Sequence, residues 1–177
     1  AKSFGSTNAD YGYSVAVDSS GNVYTTGSFV DTVDFDPGAG TAELTSSGSK
    51  DVFVSKLDSS GDYVWARNFG GTSSDIGNSV AVDSSGNVYT TGKLEDTADF
   101  DPGAGTANLT SSNGDGVFGG DVFVSKLDSS GNYVWAKSFG GSSSQTSASF
   151  VVLDSSGNVY TTGYFNDTVD FDPGAGT

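Results

Sequence analysis

Asp18-Ser-Ser-Gly-Asn22 recurs along the chain as Asp58–Asp62, Asp83–Asn87, Asp128–Asn132 and Asp154–Asn158, with aspartate closing the second copy. Every copy lies between two runs rich in β-branched and aromatic residues, as Val15–Val17 and Val23–Thr26 flank the first. The phrase has its own turn chemistry. Its aspartate accepts hydrogen bonds from the amides just ahead, the serines suit a type I turn, and the glycine takes the left-handed conformation that realigns the strands. Each copy therefore marks a hairpin.

The hairpins fall into a longer repeat. Asp-Phe-Asp-Pro-Gly-Ala-Gly-Thr begins at Asp34, Asp99 and Asp170, spacings of 65 and then 71 residues, and Asp51–Gly61 is identical to Asp121–Gly131. Self-similarity at such a period marks a propeller, a solenoid or an array. Each repeat reads as four strands, in the first copy Ser14–Asp18, Asn22–Phe29 with an extension to Phe35, Val52–Asp58 and Tyr63–Phe69. No segment sustains a helical period. The Asp-Ser-Ser-Gly turns join strands one to two and three to four. The connection from two to three is longer, holds Asp-Pro-Gly, and grows by five residues where Asn113–Gly120 replaces Gly48–Lys50. This alternation puts the two kinds of connection at opposite ends of each unit.

The expected fold is all-β, with four-stranded antiparallel propeller-type blades in tandem on a repeat of about 65–71 residues. Residues 1–10 carry the fourth strand of a preceding blade and a connection, 11–75 the first blade repeat, 76–146 the second, and 147–177 the first half of a third. The chain then begins and ends mid-blade, and its start at Ala1 rather than Met suggests a processed chain or a piece of a longer one.

The formal charge of −15 repels phosphate backbones and anionic membranes, so neither nucleic-acid binding nor membrane insertion is expected. Histidine, cysteine and methionine are absent, which removes imidazole and thiolate metal ligands, a histidine base and a disulfide framework. No phosphate-binding glycine loop precedes a helix, and the serines sit in turns without a base beside them. The chain reads as no enzyme.

Gly-Asn-Val-Tyr-Thr-Thr-Gly at Gly21 and Gly86, the octapeptides at Asp34 and Asp99, Asp51–Gly61 with Asp121–Gly131, and Tyr133–Gly141 together resemble the bacterial SBBP β-propeller repeat. The resemblance covers essentially the whole chain. It implies a four-stranded blade and the extracellular or cell-surface setting of large bacterial repeat proteins, and it implies no shared enzymatic activity.

Several residues are candidates for binding. Asp34 with Asp36, Asp99 with Asp101, and Asp170 with Asp172 place two carboxylates on one side of an extended segment, the oxygen-only chemistry calcium takes. The competing reading makes these acids turn caps while Phe35, Phe100 and Phe171 plug the core. Calcium is the one cofactor the residues suggest, and none is required. Asn108 and Asn166 satisfy the N-glycosylation pattern. Trp65 and Trp135, with Tyr63 and Tyr133, either stack on sugars or pack between blades. Asn113, Asp115 and Phe118 in the inserted loop are the most individual contact residues. The expected function is a non-catalytic extracellular structural module of a bacterial surface protein or fibre, whose partners are further copies of the repeat joined by strand-edge pairing. The alternative is a propeller that binds glycans or proteins through its variable loops.

Overall fold

The computed structural model describes residues 2–112, 120–141, 146–172 and 174, and their regular structure is all strand. Strand β1 (Tyr11–Val17) turns at Asp18–Asn22 into β2 (Val23–Phe29). A small hairpin follows, β3 (Thr32–Asp34) and β4 (Glu43–Thr45), and then β5 (Asp51–Leu57) and β6 (Tyr63–Gly71) complete the first blade. Its antiparallel order is β1-β2-β5-β6. The second blade repeats the plan with β7 (Ile76–Val82), β8 (Val88–Leu94), β9 (Thr97–Asp99), β10 (Asn108–Thr110), β11 (Asp121–Leu127) and β12 (Tyr133–Phe139). A final pair, β13 (Thr146–Leu153) and β14 (Val159–Phe165), forms a two-stranded sheet. The sheets do not close into a ring.

The turns explain the hairpins. Asp18 Oδ1 accepts the amides of Ser20 and Asn22 at 2.9 and 3.0 Å, while Asn22 Nδ2 and the Tyr24 hydroxyl donate to Oδ2 at 2.7 and 3.0 Å. These bonds, the Asn22 side chain foremost, hold the Asp18 carboxyl down at about 2. Gly21 sits at φ 82°, a conformation that side-chain-bearing residues rarely adopt.

One expectation needs correction. The second strand does not extend to Phe35: Asp31, at φ 62°, turns the chain out of the sheet, and Thr32–Asp34 becomes β3. Aspartate tolerates that left-handed position. The hairpin that results leaves its own blade. In the second blade β9 pairs with β6 of the first, Gly70 opposite Asp99 and Gly71 opposite Ala98, so the first sheet runs to six strands. Bridges from Gly5 to Asp34 and from Gly140 to Asp170 repeat the contact. Each blade is thus strapped to the outer strand of the one before it.

Blades also pack face to face. β7 lies across β1 and β2, and β13 across β7 and β8. Between the first two blades this buries Tyr24, Val52, Val54, Trp65, Phe100 and Phe123, among others. Phe123 is fully buried whereas Phe171, in the incomplete third unit, is 58% exposed. Phe123→Ala is therefore expected to cost about 3–5 kcal/mol in denaturant unfolding, and Phe171→Ala much less. Equal losses would contradict this account of the core.

Candidate functional site: the blade junctions

At the two complete junctions an aromatic triangle forms from three separate segments of the chain. Phe69 on β6 meets Phe100 beyond β9 and Phe123 on β11, with ring centroids 5.1 and 5.9 Å away, and Phe100 lies 4.9 Å from Phe123. One junction earlier, Phe4, Phe35 and Phe53 repeat the figure at 5.1, 5.7 and 5.0 Å. One junction later, Phe139 and Phe171 lie 5.8 Å apart, with Phe165 5.3 Å from Phe171.

Outer-strand side chains grip the next blade's turn. Trp65 Nε1 donates to the Ser129 carbonyl at 3.2 Å, and Arg67 Nε donates to that of Gly131 at 3.0 Å. Lys2 stands in the position of Arg67 one blade earlier and pairs with Asp62 at 3.3 Å. Near the inner strands, the Val80 amide donates to Ser14 Oγ and the Val151 amide to Ser79 Oγ, both at 3.2 Å. The third copy of that serine position is Phe150, 64% exposed, so the last face is bulkier and lacks the acceptor.

The structure puts the paired aspartates in turns. Asp34 Oδ1 accepts the amides of Asp36 and Ala42 at 2.9 and 2.8 Å, and Asp36 Oδ1 accepts that of Gly38 at 2.7 Å. Asp99, Asp101, Asp170 and Asp172 make the corresponding bonds to Asp101, Gly103, Asp172 and Gly174. The amides of Ala42 and Asp36 hold the Asp34 carboxyl below its ordinary range. Among the described residues no three His, Cys, Asp or Glu side chains gather as a metal site. Asn108 is exposed at the start of β10, and Asn166 is exposed just beyond β14. Trp65 is buried against Tyr24, with centroids 6.2 Å apart, and Trp135 meets Tyr89 in the same way. Asn113, Asp115 and Phe118 lie outside the described residues.

Sequence reasoning missed the two buried acids that begin the third strands, whereas Asp75, ahead of a first strand, reads from the sequence as a loop cap. Asp51 and Asp121 are almost wholly buried, and each accepts an amide of its long connection, Ser47 at 3.1 Å and Ser112 at 2.8 Å. An acid leading an apolar strand in both copies was the available signal. Asp75 goes further: it is fully buried and ties the Gly71 amide of one blade to the Glu95 amide of the next, each at 2.9 Å. Burial pushes its carboxyl up to about 7, with Asp51 and Glu95 adding repulsion against the two amide bonds.

The unfolded chain releases this proton near 3.8 and the folded chain near 7, so the resulting stability is full below pH 4 and lost as pH rises through 7. Asp18 and Asp34, with lowered values, remain ionised throughout that upper range. The melting temperature is expected to fall between pH 4 and 7, and Asp75→Asn to flatten that fall. Melts with calcium and with excess chelator are expected to coincide, since amides already engage the paired aspartates; a drop on chelation would assign them a calcium ion.

The β-propeller repeat model of the SBBP family matches residues 4–28, 64–93 and 134–166. Each match starts in or beside an outer strand and runs into the first two strands of the following blade, so the family's unit is phased on the junction. The chain is also 27% identical to the uncharacterized WD repeat-containing protein L264 of Acanthamoeba polyphaga mimivirus. That alignment takes in 100% of this chain and 14% of the viral protein, so the chain spans a small part of that relative's length. With a family match at all three junctions of an all-β, antiparallel chain, the protein belongs to the SBBP β-propeller repeat family.

Proposed function

We propose that this chain is a non-catalytic structural repeat module, working outside the cell in a bacterial surface protein or fibre, and joined to further copies of the repeat through its open edges. The observation that carries the reading is that the two ends expose complementary halves of one junction. Val80 and Val151 are 5% and 4% exposed against the preceding blade, while their counterpart Val15 is 63% exposed. At the other end Tyr160 is 55% exposed, where Tyr24 and Tyr89 are 0% and 3%. A contact of this kind is heterologous, so it closes into a ring or propagates as a filament.

Further support comes from how the repeated side chains are used. Among the described residues the recurrent aspartates cap turns and the recurrent aromatics fill junctions, so the repeat motif gives these side chains to structure. The extracellular bacterial setting is what the family resemblance suggests.

Sedimentation of the 177-residue chain over a concentration series tests assembly. Self-association is expected, Val15→Asp and Tyr160→Asp should each abolish it, and mixing the two variants should restore a dimer through their intact faces. A chain that stays monomeric throughout would overturn the copy-to-copy reading. A turnover abolished by Asp34→Asn would overturn the non-catalytic one, and antibody labelling seen only after cells are permeabilised would overturn the extracellular one.

A further inference from the structure

Strand β6 is the outer strand of a complete blade and has a complete blade after it, so its outer edge is a feature of the repeat itself. Among the described residues that edge meets another strand at Gly70 and Gly71, which pair with Asp99 and Ala98 of β9. The stretch ahead of them, from Tyr63 to Phe69, pairs with β5 on the inner side. An outer edge of this kind offers backbone donors and acceptors to any extended chain that meets it.

At Ala66 both groups are taken. In an antiparallel strand the N–H and C=O of one residue point to the same side. The Ala66 amide donates to the Tyr63 hydroxyl at 3.1 Å, and the Ala66 carbonyl accepts from Arg67 Nη1 at 2.8 Å. Both groups therefore point away from β5, and side chains of β6 itself occupy the bonds that a fifth strand would make.

The tyrosine reaches the amide three residues on because the strand is bulged. Trp65 stands opposite Lys56 and Tyr63 opposite Leu57, so the pairing skips Val64. A bulge bends and twists its strand. The Tyr63 ring is half-buried against the cluster of Phe29, Phe35 and Phe53, which fixes where its hydroxyl points. Further along, Asn68 Nδ2 donates to the Thr45 carbonyl of β4 at 3.1 Å, and the hairpin covering Gly70 and Gly71 has strands of only three residues. Bulges and very short outer strands are both ways in which sheets avoid pairing with other chains.

The second blade repeats the device. Trp135 stands opposite Lys126 and Tyr133 opposite Leu127, Val134 is skipped, and the Ala136 amide donates to the Tyr133 hydroxyl at 3.1 Å. The tyrosines considered above as sugar stackers thus give their hydroxyls to the backbone in both complete blades.

We propose that Tyr63 and Tyr133 are edge caps, which close the outer strand of each blade to strand addition by a second copy of this chain. Without the cap, β6 of two copies would pair antiparallel about Ala66, an arrangement in which the same residue serves both partners and exchanges both of its bonds. This goes beyond the module reading: it excludes lateral pairing between blades and leaves contact between copies to the junction faces.

The test uses the full 177-residue chain carrying Val15→Asp, which on the module reading removes association through a junction face. Tyr63→Phe and Tyr133→Phe, added singly and together, keep the ring and delete the hydroxyl. In dilute solution Tyr63→Phe is expected to speed hydrogen exchange at the Ala66 amide by about threefold to tenfold, as loss of one hydrogen bond does, and to leave Ala136 unchanged. Tyr133→Phe should do the reverse, so each variant controls for general loosening of the fold in the other. At high concentration the double variant should form dimers in sedimentation beyond any its parent forms, and protection of Ala66 or Ala136 should return in them. Unaltered exchange at both alanines, a variant no more associated than its parent, or dimers that leave both amides unprotected would each overturn the proposal. A wild-type chain that stays monomeric would sink the module reading and leave this one standing.

Discussion

The structure depends on the packing of three phenylalanines at each of the two complete junctions: one from an outer strand, one from the third strand of the next blade, and one from the hairpin that straps the two together. A four-stranded sheet of seven-residue strands has little core of its own and must bury both faces against neighbours. Phe69, Phe100 and Phe123 do this with three segments, the outer two 54 residues apart along the chain. Stability therefore resides between units rather than within them, as in other repeat architectures, where each unit contributes through its nearest neighbours. The exposed aromatic and β-branched residues of the first and last strand pairs occupy positions that the complete junctions bury.

Aspartate does opposite jobs in this fold according to where it lies. At Asp18 and Asp34 the carboxylate stays at the surface, accepts two amides ahead of it, and is held ionised by them. At Asp75 the same group also accepts two amides, but it lies between blades beside Asp51 and Glu95, and desolvation outweighs the hydrogen bonds. The result is a chain with a large negative charge in which most acids serve as local backbone ligands and a few buried ones fasten the long connections. The family's repeat unit, phased from outer strand into the next blade, coincides with the junction rather than with the sheet. That phasing is natural if the contact between blades is what the sequence must preserve.

Much of this was legible in the sequence because turn chemistry is local. Asp-Ser-Ser-Gly determines its own hairpin through bonds that span at most four residues, apart from the tyrosine hydroxyl just beyond, and it fixes which strands are sequential neighbours. The internal repeat then gave the number of strands in a blade, and the alternation of short and long connections gave their antiparallel order. The paired aspartates were visible as candidates, and their turn-capping geometry was one of the two readings that two carboxylates around a phenylalanine allow.

The tertiary structure decided where each segment goes when its partner is distant. Thr32–Asp34 has the composition of a continued second strand, yet Asp31 turns it away to pair across the junction with the preceding blade, as its counterpart β9 does with β6. Asp10 and Asp75 occupy matching places in the sequence, and the first is partly exposed while the second is sealed between two blades. Trp65 and Trp135 share a motif, but the following blade covers one far more completely than the other. A local pattern specifies hydrogen bonds that close within a few residues. Burial, pairing across a junction and the proton affinity of a carboxyl depend on atoms that the chain brings together from far apart, and these the fold alone determines.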